Sequence, residues 1–502
     1  MEELYANKYN QNKKNNLFWI LGIVLTSIAI SFMYVISEGS AFTSVAIILI
    51  ALIITITFYR IDWGFILFVG MVLAFDQFPP RGYGITIIGQ EYFQNLKSLK
   101  YFSKIDFAVI NPLELHIFLI LTVWIILIST GKKVNLMRVP VWLSTILFFA
   151  WLFLSFIYGM STGGSFLPAL WELRALFYLG IIFFLTPQII QSREQIVNLI
   201  WVCIGAIAFK AVQGLIRLVR LGFNFGSRTE LTNHEDPLFF VSLLILLLGL
   251  ILFKYNSRQR QVLSWISLPL LFVFVLSQRR AAYAALGFAI ITFIILLPKL
   301  ERLKLIKILI PVVILFSIYT ISLWNNESTF AIPAQLVKTI FVEPKSKDDL
   351  RYYSNLYRDF ENYNLAQTVK RAPAIGIGFG NKYDQPVMLT KIPFPLQEYI
   401  PHNEIYWLFV KTGAIGFFLF WLFIDSYILR AAFIFNRLKD LYFKSLCAVI
   451  IVAIVGQIVV SFYDLQFTYY RNMVFLGMLM GLLPVIDKLD KLEHEIKTNI
   501  NV

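Results

Sequence analysis

Apolar stretches of about twenty residues recur from Leu17 almost to the end of this 502-residue chain. Each is long enough to cross a bilayer core of roughly 30 Å. Backbone groups in lipid have no water to bond, so such runs fold as helices. Only 15% of the residues are charged and 58% are hydrophobic, where a soluble domain carries nearer to a quarter charged. The sequence therefore predicts an all-α, polytopic membrane protein. Spans are expected at 17–36, 42–59, 62–78, 112–130, 139–158, 169–187, 196–216, 238–254, 262–278, 281–298, 304–323, 404–429, 445–462 and 468–486, about fourteen helices in all. The first run has no small-residue cleavage site and reads as a span, not a removable signal. Cys203 and Cys447 fall inside apolar helices and read as buried small side chains.

The net charge of +14 raises the possibility of nucleic acid, but its distribution excludes that class. Lys and Arg come in short clusters between apolar runs, as inner loops do under the positive-inside rule. With Lys8, Lys13 and Lys14 in the cytoplasm, every second loop falls inside, and these hold Arg60; Lys132, Lys133 and Arg138; Lys254, Arg258 and Arg260; Lys299, Arg302, Lys304 and Lys307; and Arg430, Arg437, Lys439 and Lys444, on to the C-terminal Lys488 and Lys491, while the inner loop with Arg193 and Glu194 is neutral. Both termini are then expected inside. Three regions follow: 1–323, with eleven spans and an outer loop at 79–111; 324–403, a long extracytoplasmic loop; and 404–502, with three spans and a cytoplasmic tail. A loop as long as 324–403 is expected to carry structure or function of its own. Within it, Ser346 to Arg371 reads as one or two helices near the membrane surface. Pro373 ends that segment, and a glycine-rich stretch, Ile375 to Asn381, follows and is expected to give the loop backbone a flexible approach.

This topology gathers cations on the outer face, against the usual bias. Arg174 lies just inside the sixth span. Arg217 and Arg220 end the seventh, three apart and so on one side of it; Lys210 lies deeper in the same helix. Arg279 and Arg280 form the turn between the ninth and tenth spans, and His402 opens the twelfth. Ionisable groups at membrane depth are costly and mark sites. Several arginines suit a phosphate-bearing ligand at the headgroups, and a histidine suits deprotonation of an attacking hydroxyl. Each also has a structural reading: Arg217 and Arg220 as residues reaching for headgroups, Arg279 and Arg280 as an ordinary charged turn, Arg174 as a partner of Glu172 or another outer carboxylate, Lys210 as the structural partner of a carboxylate not identified by the sequence, His402 as a helix-entry residue. Asn403 is expected to cap the twelfth helix, and Glu404 to favour its start.

Other motifs carry less. Gly376-Ile377-Gly378-Phe379-Gly380 has no βαβ unit around it and is not a dinucleotide loop. His234-Glu235-Asp236 lacks metal-ligand spacing and reads as a solvated loop. Asp464 is placed to orient a cation or a sugar hydroxyl. His116 reads as a bundle residue and His494 as part of the tail. The chain shows no pair of carboxylates of the kind that holds a nucleotide-sugar metal.

Taken together, Gly376-Ile377-Gly378-Phe379-Gly380, Pro401-His402-Asn403 and Lys411-Thr412-Gly413-Ala414-Ile415-Gly416 resemble the signature of the O-antigen ligase and O-antigen polymerase superfamily. Ser277-Gln278-Arg279-Arg280-Ala281-Ala282 resembles its Ser-Arg-Gly-Ala-like turn, with Ala281 where Gly is common, and Trp171-Glu172-Leu173-Arg174 resembles a weaker feature. The resemblance implies a GT-C-like helical fold at the outer face of the bacterial cytoplasmic membrane and no cofactor or metal. It implies a glycan donor on undecaprenyl diphosphate and an acceptor glycan, with a chain-length regulator and a flippase as further partners. It gives His402 the role of general base and Arg174 and Arg280 that of diphosphate ligands. A polysaccharide polymerase is expected; the alternatives are a ligase acting on lipid A-core or protein, and a lipid-linked oligosaccharide flippase. Arg217 and Arg220 rest on the topology more than on a motif.

Overall fold

A computed structural model describes residues 41–78, 89–98, 109–131, 136–223, 231–277, 279–326, 328–342 and 350–500. Its helices of ten residues or more are α1 (Ala41–Tyr59), α2 (Ile61–Ala74), α3 (Pro112–Ser129), α4 (Trp142–Ser161), α5 (Phe166–Ile189), α6 (Arg193–Arg220), α7 (Asp236–Leu252), α8 (Arg258–Val275), α9 (Arg280–Leu296), α10 (Lys299–Ser322), α11 (Ile332–Phe341), α12 (Leu350–Arg371), α13 (Glu404–Arg437), α14 (Leu441–Ser461) and α15 (Tyr470–Ile500). No strand occurs among the described residues. The expected spans from 42–59 onward each coincide with one of these helices; the first, 17–36, lies outside the described residues, as do parts of the 79–111 loop. Among the described residues, eight helices, α3, α4, α5, α6, α10, α13, α14 and α15, are long and apolar enough to cross a membrane, and α2, α7, α9 and the 48–59 part of α1 are apolar but shorter. α13 and α15 continue to 437 and 500 where the expected spans ended at 429 and 486; in α13 the added turns bury Ala431, Ile434 and Phe435.

The described residues fall into two compact units, one within 1–68 and 113–134 and the other within 69–112 and 135–502. Within the first, Gly64 lies against Thr57 of α1, and buried His116 sets its ring edge-on to Phe68. In the second, α5 packs on α15, α14 packs on α7 and α9, and α4 packs on α13. The α5–α15 seam is close because α15 presents Gly477 and Gly481, four apart on one face. A Cβ at Gly477 would lie 2.7 Å from the Leu179 carbonyl oxygen and one at Gly481 would lie 2.5 Å from Thr186 Cβ. α10 shows almost all of its apolar surface, as a lipid-facing helix does. Cys203 and Cys447 are buried and free.

The long loop is built, in order, from α11, α12 and a helix-free run over 372–403. Its last stretch is spliced into α13. Gly413 breaks that helix at φ 65° and ψ −173°, a conformation essentially confined to glycine. The break orphans backbone groups, and the loop satisfies them. Ile377 N–H donates to Val410 O at 2.9 Å and Gly378 N–H to Lys411 O at 3.0 Å; Ala414 N–H donates to Pro373 O at 2.8 Å and Ile415 N–H to Ala374 O at 3.2 Å. Trp151 Nε1 takes up the Thr412 carbonyl at 2.9 Å. The glycine-rich stretch is thus fixed, not flexible: Gly376, Gly378 and Gly380 all have positive φ, and the Phe379 amide donates to the Ser155 carbonyl of α4 at 3.3 Å. A Cβ at Gly413 would lie 2.3 Å from the Ala374 oxygen. Gly413→Ala is expected to cost about 3 kcal/mol, strain and clash together, read as a lowered midpoint of thermal unfolding in detergent.

Candidate active site

His402 sits where the loop enters α13. Asn403 caps that helix: its Oδ1 accepts from Tyr406 N–H at 3.0 Å, and its Nδ2 donates to Asn362 Oδ1 at 3.2 Å. Glu404 does more than favour the helix start. Fully buried, it accepts from the backbone N–H groups of Gln466 and Phe467, from Thr468 N–H at 3.2 Å and from the Thr468 hydroxyl at 2.6 Å. It thereby ties the turn between α14 and α15 to the entrance of α13.

The residue against His402 is Glu361 of α12, which inspection of the sequence missed. Its carboxylate accepts from the His402 backbone N–H at 2.9 Å, and both its oxygens lie 3.2 Å from His402 Nδ1. Tyr357, one turn earlier, packs edge-on to the His402 ring at 5.6 Å between centroids. Burial, and then the Glu361 charge, push the Tyr357 phenol up to about 12, so it stays protonated at neutral pH and does not compete as a base. The C-terminal half of α12 is anchored by Asn364 and Thr368, both fully buried, which bond the backbone of Val387 and Asp384.

The same helix reaches the arginine turn. Arg280 Nη2 donates to Asn355 Oδ1 at 3.1 Å. Arg279, the N-cap position of α9, and Arg358 of α12 both act electrostatically on Asp464, which also pairs with His234 Nδ1 at 3.1 Å. Burial works to raise the Asp464 carboxyl, but His234, Arg279 and Arg358 together hold it below the ordinary carboxylate range, so it is ionised throughout the physiological range. Asn355, Arg358 and Glu361 follow one another at three-residue steps along α12. The helix thereby meets the arginine turn, Asp464 and the histidine in sequence.

The remaining sequence-predicted cations have other partners or surroundings. Arg174 is buried, donating through Nη1 to Asn95 Oδ1 at 2.5 Å and through Nη2 to the Val109 carbonyl. It does not pair with Glu172, which instead forms a fully buried ion pair with Lys411 at 2.6 Å. Glu172 also accepts from Gly380 N–H at 2.6 Å and from Trp407 Nε1 at 3.2 Å. Lys210 takes its structural reading: it is buried against Asp76, with Gln213 Oε1 at 3.0 Å. Arg217 and Arg220 do not share an environment; Arg217 is buried and Arg220 exposed. His234-Glu235-Asp236 is not a solvated loop either. Glu235 and Asp236 are buried on the fully buried Arg471, at 2.7 and 2.8 Å.

Residues 262–421 match the model of the family described as O-antigen ligase. That segment, about a third of the chain, is similar to O-antigen ligases. No curated protein sequence matches the chain. The matched segment runs from α8 through the break in α13, so it contains Arg279, Arg280, α12, His402 and Gly413, and it excludes Arg174, Lys210, Arg217 and Arg220. The residues that the fold brings together around α12 are therefore largely those of the matched segment, with Asp464 and His234 added from outside it. The similarity over this segment supports glycosyl transfer of the O-antigen ligase and polymerase type as the general class of activity.

Proposed function

We propose that the protein is a polysaccharide polymerase. It moves a glycan from undecaprenyl diphosphate to a hydroxyl of an acceptor glycan at the outer face of the bacterial cytoplasmic membrane, with both termini inside. One observation carries this reading: a single loop helix bonds His402 through Glu361 and Arg280 through Asn355, so a base and a cationic turn from opposite ends of the matched segment come together. His402 takes the proton of the acceptor hydroxyl. The oxygen forms its new bond at the anomeric carbon as the bond to the diphosphate breaks, with inversion. The diphosphate leaves with the electron pair, and Arg279 and Arg280, joined by Arg358, stabilise the charge that develops. Arg174, Lys210 and Arg217 are buried in the surrounding fold, and this reading gives them support of the site and not contact with the donor.

The test is the purified protein in lipid nanodiscs with undecaprenyl-diphosphate-linked repeat units. Longer chains are expected. Growth that appears only on addition of lipid A-core or an acceptor protein assigns a ligase instead. In liposomes, unchanged glycans carried across the bilayer assign a flippase and overturn the reading. In the same assay Arg280→Gln is expected to raise the donor KM by about tenfold or more, the loss of one charge-assisted bond of about 1.5–3 kcal/mol. Arg280→Lys recovers only part of it, because an ammonium lacks the guanidinium fork.

A further inference from the structure

We propose that Glu361 is a positioning residue for this reaction: it fixes His402 as the Nδ1–H tautomer, so that the Nε2 lone pair is the one offered to the acceptor hydroxyl. The assignment rests on His402 being the base. Ionised carboxylates only accept hydrogen bonds. With both Glu361 oxygens 3.2 Å from Nδ1, the imidazole hydrogen belongs on that nitrogen and the lone pair on the other. The Glu361 side chain is 2% exposed and that of His402 25% exposed. The carboxylate is sealed behind the ring while part of the ring remains open to a substrate. The bond from the His402 backbone N–H to the same carboxylate, at 2.9 Å, pins the main chain as well, and Tyr357 packs on the ring. Glu361 thus plays the part that a buried carboxylate plays behind a catalytic histidine elsewhere: it orients the ring, selects the tautomer and steadies the imidazolium that forms.

A structural ion pair would look similar, so the test must separate the two. Glu361→Gln, His402→Ala and the double variant are compared in the nanodisc assay. Glu361→Gln is expected to lower kcat by about 100-fold or more, since an amide supports either tautomer, with the donor KM within about twofold of wild type. In the His402→Ala background the same change is expected to slow turnover no further, because the two act as a unit. Wild-type kcat in Glu361→Gln overturns the proposal, and so does an undiminished additional loss in the double variant. Full turnover in His402→Ala overturns the base assignment instead, which distinguishes the two failures. Should Glu361→Gln not accumulate as folded protein, Glu361→Asp keeps the charge and withdraws it by one methylene. It is expected to lower kcat at constant KM, and unchanged kcat there overturns the proposal equally.

Discussion

His402→Ala is expected to reduce turnover by about 10²–10⁴-fold while the protein stays folded. The lower bound is the usual contribution of a positioned general base; the upper reflects loss of the whole histidine–carboxylate unit. Fold retention follows from the surroundings. The α13 entrance is held by Asn403 capping Tyr406, by Glu404 on the 466–468 backbone and by the loop splice at Gly413, and none of these uses the imidazole. Chain length of the product, read on a gel, is the direct measurement. Polymer of full length from His402→Ala would remove the base assignment outright. Donor binding, measured separately by retention of the lipid-linked substrate, is expected to change little, because the diphosphate is assigned to arginines.

The second large effect is on stability. Lys411→Met is expected to destabilise the protein by about 3–5 kcal/mol, because it leaves Glu172 as a buried carboxylate without its counter-charge. Both side chains are fully buried and 2.6 Å apart. Glu172 would keep only the Gly380 N–H and the Trp407 indole as donors. The damage should spread, since Gly380 belongs to the loop stretch bound into α13. A fall in thermal midpoint and in the folded fraction recovered from membranes measures it. Adding Glu172→Gln to Lys411→Met is expected to return much of the loss, since the amide carries no charge to bury. A double variant as unstable as the single would show that the cost lies in lost packing and not in the stranded charge.

Much of the fold was legible because lipid enforces it. An apolar run of bilayer length has one way to satisfy its backbone, and the expected spans within the described residues are all helical. The capping role of Asn403 was also visible, and the candidates His402, Arg279 and Arg280 stood out in the same way, each at the junction of an apolar run with a polar turn. What escaped was pairing over distance. Glu361 is 41 residues before His402, across a helix-free run with no periodicity to transmit register. Its only local signal was a charged, aromatic helix inside a loop too long to be a mere connection. Arg217 and Arg220 misled for a related reason. A three-residue step on a helix still sweeps about 60°, enough to put one guanidinium in the interior and the other outside. Lys411 and Glu172 were both inside quoted motifs, yet nothing in either motif says that one needs the other.

The splice at Gly413 changes where this protein can be cut and exchanged. The sequence divides loop from helix at 403 and 404, but the backbone does not: residues 373–378 finish the hydrogen bonding of 410–415. A chimera that takes a relative's loop and keeps its own α13 would pair a foreign ribbon with a native break and lose register at both. The exchangeable block is roughly 350–416, with the glycine break carried inside it. Recombination of acceptor preference between relatives should therefore succeed with crossovers outside that block and fail with crossovers at the histidine.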